Sequence, residues 1–191
     1  GELVVNHDPR TLDGLIIEDA DFEAVTASKL KNGETIPSLK AYLEAGKKLS
    51  PMILVLELKT QSTPERNKKL ARKVVAMVEL MNMESQVEYI AFSHLVGSEL
   101  IRLAPGAKVA YLNGDKTPAQ LKSEGYTGLD YQAGVLKKHS HWIREAHDLG
   151  LSVNVWTVNK VDDLQYFIDK GVDYITTNEP VLLLDMLKKQ R

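Results

Sequence analysis

The sequence predicts an α/β fold, a parallel sheet covered by helices, and two observations predict it. From residue 50 onward, apolar strand-like runs alternate strictly with helix-like runs, the pattern of a parallel sheet. Polar residues also recur where those strand-like runs end: Glu57, Lys59, Ser93, Asn113, Tyr131, Trp156 and Thr177. Functional groups drawn from many strand ends are the habit of a TIM (β/α)8 barrel. The other option, a doubly wound sheet, usually carries a glycine-rich phosphate loop after its first strand. None is present, and Asn113-Gly114-Asp115 is only a turn. Such barrels typically run to about 250 residues. This chain has 191, so length alone leaves the choice open.

The elements come in order. Residues 1–49 suggest a strand at 2–6, a polar loop through Asp13-Gly14, a short helix near 21–27, and a helix to about 45 capped by Ile36-Pro37-Ser38. Residues 52–59 form a strand whose apolar run predicts burial on both faces. Ser62-Thr63-Pro64-Glu65 starts a helix to about Met83, with a hydroxyl cap and proline in the first turn. Strands are expected near 87–93, 107–112, 128–131, 151–157 and 172–176. Helices are expected near 94–103, 117–124, 139–149 and 161–170, and a last one from Pro180. Pro105-Gly106, Gly150 and Gly171 supply the stops.

Composition narrows the function. Hydrophobic residues make up 43% and charged residues 26%, ordinary for a globular domain. A formal net charge of -2 gives no reason to expect nucleic acid or an anionic membrane as partner. There is no cysteine, hence no disulfide framework and no thiolate chemistry. No stretch has the length of a transmembrane span, and no signal peptide opens the chain. Compartment stays open between cytosol and periplasm.

Glu57 and Lys59 stand two residues apart at the C-terminal end of strand 52–59. Side chains on a strand alternate, so both charges share a face. A carboxylate and an ammonium there are costly unless they pair or serve a ligand. In β–α sheets, ligands sit at the C-terminal strand ends. This is where an active site is expected, with a plain structural ion pair as the alternative.

Four segments carry a resemblance: Gly1–Pro9 with His7-Asp8; Ile36-Pro37-Ser38-Leu39; Leu56-Glu57-Leu58-Lys59; and Val155–Asn159 followed by Gly171–Pro180. In order and spacing they resemble the glycerophosphodiester phosphodiesterases, a family of TIM barrels. The resemblance runs the whole length and implies a single domain over 1–191, with residues 9–49 as an insertion between the His-Asp hairpin and the first complete barrel strand. The family's preceding His-Arg strand and Glu-x-Asp segment have no counterpart here. The expectation is therefore an N-terminally truncated barrel holding strands three to eight, without one catalytic histidine and two carboxylate ligands. Open edges at Val4-Val5 and at Val172–Thr176 then predict a homo-oligomer, an exchanged segment or an upstream region.

The resemblance implies a role for each matched residue. Glu57 becomes a ligand of a divalent cation, Ca²⁺ or Mg²⁺. Lys59 neutralises the phosphate, His7 delivers a proton to the leaving alkoxide, and Trp156 walls the glycerol moiety. Ser93 and Tyr111 are candidates for lining the mouth. His94, His139, His141 and His147 receive no chemistry. Asn178 stands where many members have aspartate. The implied reaction is metal-dependent hydrolysis of a glycerophosphodiester to glycerol 3-phosphate and an alcohol. The alternatives are an inactive fragment or binding-only relative, and a Schiff-base aldolase using Lys59.

Overall fold

In a computed structural model that describes residues 1–189, the alternation resolves into strands β1 (Leu54–Glu57), β2 (Val87–Ala91), β3 (Val109–Tyr111), β4 (Gly128–Gln132), β5 (Ser152–Trp156) and β6 (Tyr174–Ile175). The six lie side by side in sequence order. Every pair from β2 to β6 is parallel, and Leu58 just past β1 donates its N–H to the Ile90 carbonyl of β2 at 3.0 Å. A doubly wound sheet reverses its order at a switch point. This order never reverses, which is the progression of a barrel.

The helices are α1 (Phe22–Ala27), α2 (Leu39–Lys47), α3 (Pro64–Leu80), α4 (His94–Leu103), α5 (Pro118–Ser123), α6 (Ala133–Lys138), α7 (His141–Asp148), α8 (Val161–Asp169) and α9 (Pro180–Lys189). Hydroxyl caps set several starts: Ser38 accepts from Ala41 N–H, Thr63 from Arg66 N–H and Ser93 from Val96 N–H. Thr117 and Gln120 form a capping box before α5, satisfying two backbone donors reciprocally. Among the described residues no helix is long and apolar enough to cross a membrane.

The chain forms two compact units, one of Gly1–Val55 with Gln61–Glu88 and one of Leu56–Thr60 with the chain from Tyr89 onward. In the first, residues 3–5 run beside 37–39: Val5 N–H donates to the Pro37 carbonyl and Leu39 N–H to the Leu3 carbonyl. The expected strand at 2–6 is thus reduced to one antiparallel bridge, Val4–Ser38. Glu18 ties the insertion to the start of α3. It accepts from the Ser62 hydroxyl at 2.7 Å and meets Arg66 at 2.7 Å. These partners hold its carboxyl below the usual range, the Ser62 hydrogen bond most of all. Gly46 lets α2 approach β1, because a Cβ there would overlap the Leu54 side chain.

Burial on β1 differs from the expectation. Leu54 and Leu56 are buried, but Ile53 is 43% and Val55 47% exposed, because alternate side chains face opposite sides and only one side is covered. The second unit has its core on β3–β5, where Tyr111, Leu129, Tyr131, Val153 and Val155 are all 3% exposed or less. Leu164 and Phe167 of α8, each 0% exposed, belong to the same core. α6 was not expected from the sequence; its first residue comes directly after Gln132, which makes no side-chain cap.

Candidate functional site

Glu57 is the last residue of β1, and its side chain is 24% exposed; Lys59, two residues on, is 38% exposed. Lys59 Nζ stands 2.8 Å from Glu57 Oε1, but off the direction a hydrogen bond needs. Oε1 is buried, paired in charge and without a hydrogen-bond donor among the described residues. The pairing with Lys59 offsets part of the cost of burying this oxygen, and a carboxylate oxygen is the donor type a hard cation takes.

Sequence reasoning passed over a second carboxylate of this unit. Asp130, in the middle of β4, is 2% exposed, and its Oδ1 has no hydrogen-bond partner among the described residues. Burial pushes its carboxyl up to about 7; a hydrogen bond from Asn154 opposes the shift and the Glu57 charge adds to it. Asn154 is its register partner on β5 and reaches on to Thr176 Oγ1 at 3.2 Å. One signal marked Asp130 in the sequence: alternation puts it on the face opposite Leu129 and Tyr131.

Trp156 ends β5. Its Nε1–H donates to the Asp130 carbonyl at 2.9 Å, and Phe92 meets its ring edge-on at 5.7 Å. The hydrogen bond and the edge contact fix the indole plane. Past Trp156, Asn159 Oδ1 accepts from the Asn178 N–H at 2.8 Å and the Thr177 hydroxyl at 3.2 Å. Asn178 is therefore held by its backbone, whatever its side chain does.

The remaining residues are employed elsewhere. The Ser93 hydroxyl caps α4. Tyr111 is 3% exposed and packs on the rings of Tyr126 at 5.5 Å and Tyr131 at 6.5 Å, and burial pushes its phenol up to about 12. His94 lies 3.0 Å from Glu124, His147 lies 3.0 Å from Asp173, and His139 stacks on Trp142 at 4.3 Å.

His7 belongs to the other unit. Its side chain is 85% exposed, and its Nδ1 lies 2.9 Å from Asp8 Oδ1. A carboxylate only accepts, so the bond places a proton on Nδ1. Asn6 braces this turn by donating to the carbonyls of Asp8 and Arg10, at 2.8 and 3.2 Å.

Glu57 offers one hard oxygen ligand of the right kind. Among the described residues no group of three or more His, Cys, Asp or Glu side chains could hold a metal ion.

Comparison with known proteins gives the family and the fold. The model of the glycerophosphoryl diester phosphodiesterase family matches residues 1–182. A crystal structure of a glycerophosphodiester phosphodiesterase from Parabacteroides distasonis is 40% identical with a TM-score of 0.95, over 98% of this chain and 78% of that one. The glycerophosphodiester phosphodiesterase of Caldanaerobacter subterraneus is 22% identical over 205 residues, 99% of this chain and 82% of that protein. A crystal structure of the Agrobacterium tumefaciens enzyme of that name shares the fold at 21% identity and a TM-score of 0.77, over 96% of this chain and 80% of that one.

Proposed function

Because the chain belongs to the glycerophosphoryl diester phosphodiesterase family, we propose that it hydrolyses glycerophosphodiesters to glycerol 3-phosphate and an alcohol, using Ca²⁺ or Mg²⁺. The observation that carries the reading is the buried Oε1 of Glu57, ion-paired with Lys59 at 2.8 Å and with no other polar partner among the described residues. Glu57 would hold the cation. The chemistry that a divalent ion would supply there is positive charge against the phosphodiester oxygens.

Water attacks the phosphorus and gives its proton to solvent, while this chain's own residues act on the phosphate and the leaving group. The Lys59 ammonium neutralises further phosphate charge as the pentavalent state forms. His7, as the imidazolium with a proton on each ring nitrogen, gives the Nε2 proton to the departing alkoxide while Asp8 accepts from Nδ1–H. Trp156, anchored through Asp130, offers the glycerol carbons an apolar wall.

Phosphorus NMR of glycerophosphocholine incubated with the chain and either cation tests the proposal. Conversion of the diester signal to that of glycerol 3-phosphate is expected; an unchanged diester contradicts it. A second reading is a relative that binds such diesters without cleaving them. The ligand count among the described residues favours it, and it predicts saturable binding with no product.

A further inference from the structure

The insertion builds a concavity of its own. Residues 10–16 fold back as one short hairpin, through the Arg10–Ile16 bridge and a 3.0 Å bond from Thr11 N–H to the Leu15 carbonyl. Residues 29–35 form a second, through the Lys29–Thr35 bridge and a 2.7 Å bond from Leu30 N–H to the Glu34 carbonyl. A pocket of about 330 Å³ is lined by Asn6, Asp8, Arg10, Lys29 and Lys31, with Ile36, 2% exposed, among its apolar wall. Backbone bonds in both hairpins hold the segments that line it, which lowers the ordering cost of binding a ligand there.

Its charge is one-sided. Arg10, Lys29 and Lys31 contribute three cations; of the lining residues only Asp8 is acidic, and it already faces His7. Arg10 gives one N–H to the Gly14 carbonyl at 3.2 Å. Among the described residues, none of the three cations has an ion-pair partner. Like charges around a concave space concentrate their field there and draw in an anion. The volume sits at the small end for ligand pockets, enough for a phosphate or carboxylate with a few carbons.

The position says which part of a diester would meet this charge. Asn6 and Asp8, both in the wall, flank His7 in the chain. On the reading above, which this inference rests on, His7 protonates the departing alkoxide, so the alcohol leaves at a residue whose two chain neighbours line this pocket. We propose that the pocket holds an anionic group carried by that alcohol. The preferred substrates are then diesters whose alcohol bears a phosphate or carboxylate, rather than a choline-type cation.

Two measurements test this separately from the hydrolase reading. In the first, the ¹⁵N-labelled chain is titrated with inorganic phosphate, with acetate and with choline. Phosphate is expected to shift the amides of Arg10 and Lys29–Gly33, choline to leave them in place, and the K29A/K31A variant to lose the response. The order of phosphate and acetate tells which anion the pocket suits. A response that survives in K29A/K31A, or that equals the one to choline, overturns the proposal. In the second, kcat/KM is compared for glycerophosphoglycerol phosphate and glycerophosphocholine. The ratio should exceed one in the natural chain and fall about tenfold in K29A/K31A. It should invert in the charge-reversed K29E/K31E. An unchanged ratio overturns the proposal. Absence of turnover on every diester is a separate result: it removes the hydrolase reading, and the titration then decides the pocket alone.

Discussion

The hairpin that carries His7 and the strands that carry Glu57 and Asp130 hold their polar side chains by opposite means. The His7 side chain is 85% exposed and that of Asp8 71%. Glu57 is 24% exposed along its side chain, and Asp130 is 2% exposed. In the hairpin, position comes from local polar bonds: Asn6 bracing two carbonyls, Asp8 fixing the ring. On the strands, position comes from register. Asp130 faces Asn154 because their Cα atoms are partners in the parallel ladder. The difference teaches that the exposed group can be lost without disturbing the fold, whereas the buried carboxylates are bound up with stability.

The largest effect expected is on the buried side. Glu57→Gln should lower kcat/KM for glycerol 3-phosphate release by about a thousandfold or more, since it removes the proposed cation ligand. On the exposed side, His7→Ala should cost about a hundredfold to a thousandfold in kcat, with a denaturation midpoint within about 2 °C of the natural chain's. A large loss of stability in His7→Ala would erase the contrast between the two regions.

Asp130 gives the contrast a pH dependence. The unfolded chain loses this proton near 3.8, while the folded chain keeps it to about 7. Between those values the unfolded state binds fewer protons, so raising the pH favours unfolding. The contribution is whole below pH 3.8 and lost as pH climbs through 7. Urea denaturation of the metal-free chain should show about 3 kcal/mol less stability from this group at pH 8 than at pH 5. Asp130→Asn should flatten that slope; an equal slope in the variant would put its origin elsewhere. The smallest effect is expected at the anchor of the insertion. Glu18→Gln keeps its shape and loses its charge toward Ser62 and Arg66, and should cost about 1 kcal/mol in the same experiment.

The sequence made some of this legible and hid the rest for physical reasons. The Glu57-x-Lys59 pair was visible because a period of two puts both charges on one face at a strand end. The strand–helix order was visible because caps such as Thr63-Pro64 and Thr117-Pro118 mark the helix starts. Asp130 was missed because Gly128-Leu129-Asp130-Tyr131 reads as one short strand, and only burial of both faces of β4 makes its carboxylate unusual. Tyr111 reads as a mouth residue because a strand-end aromatic looks the same facing a mouth or a core. Its partners Tyr126 and Tyr131 come from the next β–α unit, and spacing does not announce them. α6 escaped because it is six residues long and starts directly after the last residue of β4, with no turn signal between strand and helix. His7 drew attention only through the family resemblance, since a His-Asp pair in a turn is ordinarily just a turn.

The central proposal is that Glu57 would hold the divalent cation that hydrolysis needs. Its most direct test strips the natural chain and Glu57→Gln of metal with a chelator, restores Ca²⁺ or Mg²⁺ to each, and measures glycerol 3-phosphate released from glycerophosphocholine. The account predicts no turnover in either stripped protein and recovery in the natural chain alone. Turnover that persists without metal, or that returns equally in Glu57→Gln, would contradict it.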